Sequence, residues 1–219
     1  MGFEELLQIV GDAPLFETGL LLAGAVDPAN VRRQLSRWTA AGKLLQLRRG
    51  LYTLAPPYQK TAPHPFLVAN YLVQPSYVSL QAALAHAGLI PEYAAEVTSV
   101  TTGRPAQVET PLGRYTFRHV KASRFYGYRR LDVGGGQRAF VARPEKALLD
   151  QVYLQPEGET LSYLRGLRLQ NLARLNLDVL HRLAARAESP KLERAAANVA
   201  TLMAEEREDD YEILSEDLS

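Results

Sequence analysis

Residues 27–54 read DPANVRRQLSRWTAAGKLLQLRRGLYTL, and the fold of the N-terminal quarter turns on them. Asp27 offers an N-cap carboxylate, and Pro28 suits the first helical position, where its missing N–H costs nothing. A helix follows to Ala41, with Gly42 as its stop. On a wheel of about 100° per residue, Val31, Leu35 and Trp38 cluster on one side and face a core. Residues 43–47 and 51–54 are two apolar-rich strands. Arg48-Arg49-Gly50 joins them as a tight turn, with Gly50 able to take positive φ.

Upstream, Phe3, Leu6, Leu7 and Val10 recur at helical spacing, which predicts a helix over 3–10. Pro14 and Phe16–Leu22 predict a second short helix ending near Gly24. Three helices and a hairpin, in that order, are the parts of a winged helix-turn-helix over residues 1–56. Four prolines between Pro56 and Pro65 mark 57–65 as a Pro-rich linker. Residues 66–204 read as a mixed α/β domain. Helices are expected at Phe66–Val73 and Ser79–Ala87, then strands at Val97–Thr101, Arg114–Val120, Tyr126–Val133 and Arg138–Val141. Gly134-Gly135-Gly136 turns between the last two strands. Helices close the domain at Pro144–Leu154 and at 160–170, 177–187 and 190–206. Residues 205–219 carry eight acids and one Arg, and are expected to be a frayed or disordered acidic tail. The fold class is therefore α+β: an N-terminal winged helix-turn-helix followed by a mixed α/β domain with C-terminal helices.

The net charge is only +1, but it is unevenly spread. Residues 1–27 hold five acids and no base, and residues 28–60 hold seven bases and no acid. A one-sided block of this kind is the pattern of a nucleic-acid footprint. Opposite the apolar stripe of the 28–41 helix lie Ala29, Asn30, Arg33, Ser36, Arg37 and Ala40. Small residues let the backbone approach a duplex, Arg matches guanine O6 and N7, and Asn pairs with adenine. Asn30 and Arg33 are the candidates for base contacts, with Arg37 next, because the N-terminal half of such a helix meets the bases. Arg32, on the flank, meets phosphate. Arg48 and Arg49 at the wing tip enter a minor groove or clamp the backbone, and Lys43 adds a phosphate contact. The plainer reading is a solvated basic helix in a protein-binding module. Bases on both helix and wing favour double-stranded DNA.

Other functional classes have less support. The chain has no cysteine, so disulfides and Cys-ligated metal sites are excluded. His64, His86, His119 and His181 lack metal-ligand spacing, so no metal or other cofactor is expected. No phosphate-cradling Gly-rich motif and no Gly-x-Ser-x-Gly is present, so the chain is read as a non-enzyme. Lys146 and Asp150, four apart on a helix, read as a surface ion pair. The acidic start has no signal-peptide pattern and the longest apolar run, 19–26, is too short to cross a bilayer. A cytoplasmic location without membrane contact is expected. Between residues 61 and 204 there are 17 bases against 11 acids. Arg118, Lys121, Arg129 and Arg130 crowd one short β region, either as a solvated face or as a second basic surface for nucleic acid.

Four segments carry a resemblance. They are VRRQL (31–35) through GKLLQLRRGLYTL (42–54), PSYVSL (75–80), VTSVTT (97–102) and PEKALLD (144–150). In this order they resemble the AbiEi family of antitoxins, from bacterial type IV toxin–antitoxin systems. The resemblance implies an N-terminal winged helix that represses its own operon, and a C-terminal domain that counters a nucleotidyltransferase-like toxin. Lys146 and Asp150 match the family's helix motif, and no catalytic role is implied for them. An autoregulatory, antitoxin-type transcriptional repressor is the leading expectation. The alternatives are a nucleotide-handling enzyme with an appended DNA-binding module, and a ligand-responsive regulator without a toxin partner.

Overall fold

Asp27 caps its helix as its chemistry dictates. Its carboxylate accepts from Ala29 N at 2.9 Å and Asn30 N at 3.2 Å. The computed structural model describes residues 1–23, 27–91 and 96–216 of the protein. Its N-terminal unit comprises α1 (Phe3–Val10), β1 (Phe16–Glu17), a 3₁₀ turn (Thr18–Leu22), α2 (Pro28–Ala40), β2 (Leu44–Arg48) and β3 (Leu51–Leu54). β1, β3 and β2 form a small antiparallel sheet in that order. The expected second helix is thus replaced by a two-residue strand and a 3₁₀ turn. Phe16 pairs with Tyr52 and Glu17 with Leu51, and Thr18 N donates to Gly50 O at 2.9 Å. Pairing with the hairpin outweighs a weak local helical pattern. Gly24, the expected end of that helix, lies outside the described residues.

The larger unit runs α3 (Pro65–Leu72), β4 (Ser76–Val78), α4 (Leu80–His86), β5 (Val97–Thr101), β6 (Ala106–Thr110), β7 (Gly113–His119), β8 (Tyr128–Gly134), β9 (Gln137–Ala142), α5 (Pro144–Leu154), α6 (Leu161–Gly166), α7 (Leu177–Arg186) and α8 (Pro190–Glu216). Its six-stranded mixed sheet has the order β6-β7-β5-β4-β9-β8. β5 runs parallel to β7 and β4 parallel to β9. α3 and α5 pack on β9 and α4 on β5, while α7 and α8 pack on α5. The chain is therefore a mixed α+β protein. Strands β4 and β6 are additions to the expected set. β6, AQVET, is an edge strand in which Ala106 and Val108 alternate with Gln107 and Glu109, a period-2 pattern only five residues long between Pro105 and Pro111. The expected helix at 160–170 is shorter, ending at Gly166.

Among the described residues, two hydrophobic clusters hold the molecule together. The smaller joins Leu6, Val10, Leu35, Trp38, Leu44 and Leu54. The larger centres on Tyr77, Val100, Phe117 and Leu148, and it also takes in Leu15, Leu47 and Leu51 from the N-terminal unit. The small sheet is therefore seated on the larger core. The Pro-rich segment is also tied down. Tyr58 packs edge-on against Phe3 at 4.9 Å, Gln59 bonds Thr53, and Gln137 holds both Ala62 O and His64 N. The acidic C-terminal stretch, expected to be frayed, continues α8 to Glu216. Its start is anchored by Glu205 to Arg165 and by Glu206 to Leu172 N. Among the described residues, no helix is long and apolar enough to cross a membrane.

Candidate nucleic-acid interface

α2 is built to show one face and bury the other. Val31, Leu35 and Trp38 are buried, and Phe3 meets Trp38 edge-on at 5.4 Å. Asn30, Arg32, Arg33, Ser36 and Arg37 are all exposed. At about 100° per residue, Asn30, Arg33 and Arg37 fall within about 60° of one another, while Arg32 stands apart on the flank. Among the described residues, Arg32, Arg33 and Arg37 have no ion pair or side-chain hydrogen bond. Their guanidinium groups are open to solvent. Gly42, at φ 69°, ends the helix, and Lys43 N returns to Trp38 O at 2.9 Å.

The turn between β2 and β3 is divided. Arg49 is exposed and, among the described residues, has no side-chain hydrogen bond or ion pair. Arg48 is committed elsewhere. Its Nε and Nη2 donate to Tyr71 O at 3.1 and 2.9 Å, and Nη2 also pairs with Glu17 Oε1 at 2.9 Å. Tyr71 stands in the last turn of α3, where backbone carbonyls lack helical partners and a cation is favoured. Arg48, expected on DNA, is thus a clamp between the hairpin, β1 and α3. Lys43 lies half-buried over the rings of Phe3 at 4.5 Å and Tyr58 at 5.9 Å, a cation–π position that draws it from solvent.

The second basic surface does not form as one patch. Arg118 is on β7 near one edge of the six-stranded sheet, and Arg129 and Arg130 are on β8 at the other. Four strand spacings separate those strands, on the order of 19 Å. Lys121 is exposed in the connection between them. Alternation along β8 further turns Arg129 and Arg130 to opposite faces. Within β7, Tyr115 and Phe117 are buried and Arg118 is exposed.

Lys146 and Asp150 are not on the surface: their side chains are 4% and 3% exposed. Lys146 Nζ pairs with Asp150 Oδ1, while Ser79 Oγ at 2.8 Å and Tyr77 Oη at 3.0 Å donate to Asp150 Oδ2. Burial pulls the Asp150 carboxyl above the usual carboxylate range, opposed by the Lys146 charge and these donors. Burial, reinforced by Asp150, likewise raises Tyr77. Lys146 passes beneath the rings of Tyr126 and Tyr77, and Gly127 sits where a Cβ would come within 3.0 Å of its Cγ. The available signal was the apolar run of α5. A helix with Ala147, Leu148, Leu149 and Val152 all buried has little room for a solvent-facing pair.

His64 and His86 each meet Phe66 edge-on, with ring centroids 5.1 and 5.2 Å from it. Among the described residues, no group of three or more His, Asp or Glu is placed to hold a metal ion. No protein-family model matches the chain, and no curated protein matches it.

Proposed function

We propose that the protein is a double-stranded-DNA-binding repressor of the antitoxin type, with residues 1–56 acting as a winged helix-turn-helix. The carrying observation is the exposed face of α2, where Asn30, Arg33 and Arg37 share one side and the arginines have no partner among the described residues. In this reading Asn30 and Arg33 meet base edges, Arg37 and Ser36 extend the same face, and Arg32 and Arg49 meet phosphates. Lys43 backs the hairpin base. Arg48 holds the wing rather than touching DNA.

The antitoxin role rests on the family resemblance. It gives the promoter of the protein's own operon as the DNA and a nucleotidyltransferase-like toxin as the functional partner. It gives the larger unit the task of countering that toxin. A promoter-bound repressor works in the cytoplasm.

The test is binding of promoter DNA at varied salt. With about four phosphates neutralised per protomer, log affinity should fall against log salt with a slope of about −3 to −4. Arg33→Ala should cost roughly 1–3 kcal/mol on the specific site and little on random DNA. No shift of promoter DNA, or equal losses on both DNAs, overturns the assignment.

A further inference from the structure

The α1–β1 loop does not close against the β8–β9 hairpin. A cleft of about 740 Å³ remains between the two units, with Pro14 on one wall and Tyr128, Arg130, Arg138 and Phe140 on the other. That volume is in the range of small-molecule sites, which commonly sit at such junctions. The hairpin register explains the grouping. Arg130 stands directly opposite Phe140, and Asp132 opposite Arg138, so alternation places all of these and Tyr128 on one face.

The chemistry of this face is unspent. Phe140 is 45% exposed, a large apolar ring left open to water. Among the described residues, neither Arg130 nor Arg138 has an ion pair or side-chain hydrogen bond. The acid on the same face, Asp132, turns one oxygen to Gly134 N at 2.9 Å. The aromatic floor is held firmly. Tyr128 stacks on Tyr77 at 4.5 Å and 17°, and Phe140 meets Tyr128 edge-on at 5.9 Å. Tyr77 is itself fixed by its hydrogen bond to buried Asp150. A rigid aromatic floor beside two free guanidinium forks is complementary to a flat ring that carries a negative charge.

We propose that this cleft binds a small planar aromatic anion, the ring lying against Tyr128 and Phe140 and the anionic group held by Arg130 and Arg138. Nucleoside monophosphates and aromatic carboxylates share this chemistry. Because one wall belongs to the unit that carries α2, occupation ties the placement of α2 to the ligand. That consequence rests on the DNA-binding reading, whereas the site itself does not.

The experiment is titration calorimetry of the full chain with four probes: adenosine monophosphate, indole-3-acetate, adenosine and inorganic phosphate. At least one ring-plus-anion probe should bind with a Kd of roughly millimolar or tighter, and adenosine and phosphate about tenfold more weakly. The better of the two charged-ring probes identifies the ligand class, nucleotide or aromatic carboxylate. Phe140→Ala, and Arg130→Ala combined with Arg138→Ala, should each weaken that probe about tenfold, while circular dichroism stays native. Arg130→Lys, which keeps the charge and loses the fork, should fall between. Failure of both charged-ring probes, phosphate binding as tightly as they do, or full binding by folded variants overturns the site. Binding as described by a protein that ignores promoter DNA upholds the cleft and removes the DNA reading instead.

Discussion

Arg48→Ala tests whether the β2–β3 hairpin is a free lever or a clamped one. In the structure its side chain, 35% exposed, donates twice to Tyr71 O and once to Glu17. A hydrogen bond from a charged donor contributes about 1.5–3 kcal/mol when well buried, and partial exposure brings this toward the lower end, about 1.5 kcal/mol. The Glu17 ion pair, nearly half-exposed, adds roughly 0.5 kcal/mol. The expected loss is therefore about 2 kcal/mol, or roughly 4–8 °C in thermal midpoint for a chain of this size. Urea denaturation followed by circular dichroism measures it, and a double-mutant cycle with Glu17→Ala isolates the ion pair. Arg49→Ala, on the same turn but exposed, should leave stability within about 0.5 kcal/mol of wild type and weaken DNA binding. An Arg48→Ala protein as stable as wild type, with a DNA defect like that of Arg49→Ala, would refute the clamp.

Lys146→Ala leaves Asp150 buried without its cation and should cost roughly 3–5 kcal/mol, whereas Lys146→Met and Asp150→Leu combined with Ser79→Ala and Tyr77→Phe should cost less, because neither a charge nor a hydroxyl donor is stranded. A combined variant less stable than Lys146→Ala in urea melts contradicts that account. His64 Nδ1 accepts from Phe66 N at 3.1 Å to cap α3, and burial, then the His86 charge, hold its pKa below the ordinary histidine value. The unfolded chain therefore takes up protons that the folded one refuses. Stability present above the ordinary histidine pKa is lost as pH falls through the lowered folded value. The thermal midpoint should drop between about pH 7 and pH 5, and His64→Asn, a non-titrating cap, should flatten the drop, an outcome that equal slopes would exclude. Residues 1–56 alone lose the larger core around Leu15, Leu47 and Leu51, a loss on the order of 5 kcal/mol. That rivals the whole stability of a small domain, so the fragment should melt well below the full chain, and an equally stable fragment defeats the seated-sheet description.

Much of the fold was legible in local chemistry. Asp27 and Pro28 start α2, Gly42 ends it, and the spacing of Val31, Leu35 and Trp38 selects its buried face, because capping and helical period act within a few residues. The same period leaves Asn30, Arg33 and Arg37 on the open side. The charge block of residues 28–60 could be counted without coordinates. What the sequence could not show were partners distant along the chain. Arg48 reads as a wing-tip base like Arg49, and only the seating of the hairpin on α3 gives it the Tyr71 carbonyl, 23 residues away. Lys146 and Asp150 show the i,i+4 spacing of a surface pair, and their burial follows from how α5 packs beneath β9, α7 and α8. Arg118 and Arg130 belong to strands consecutive in the chain, yet strand order places those strands four positions apart in one sheet. Local periodicity determines which side of an element is apolar. Which element covers that side, and which charge loses its water there, is decided by contacts between residues far apart in the chain, and those exist only once the sheet has assembled.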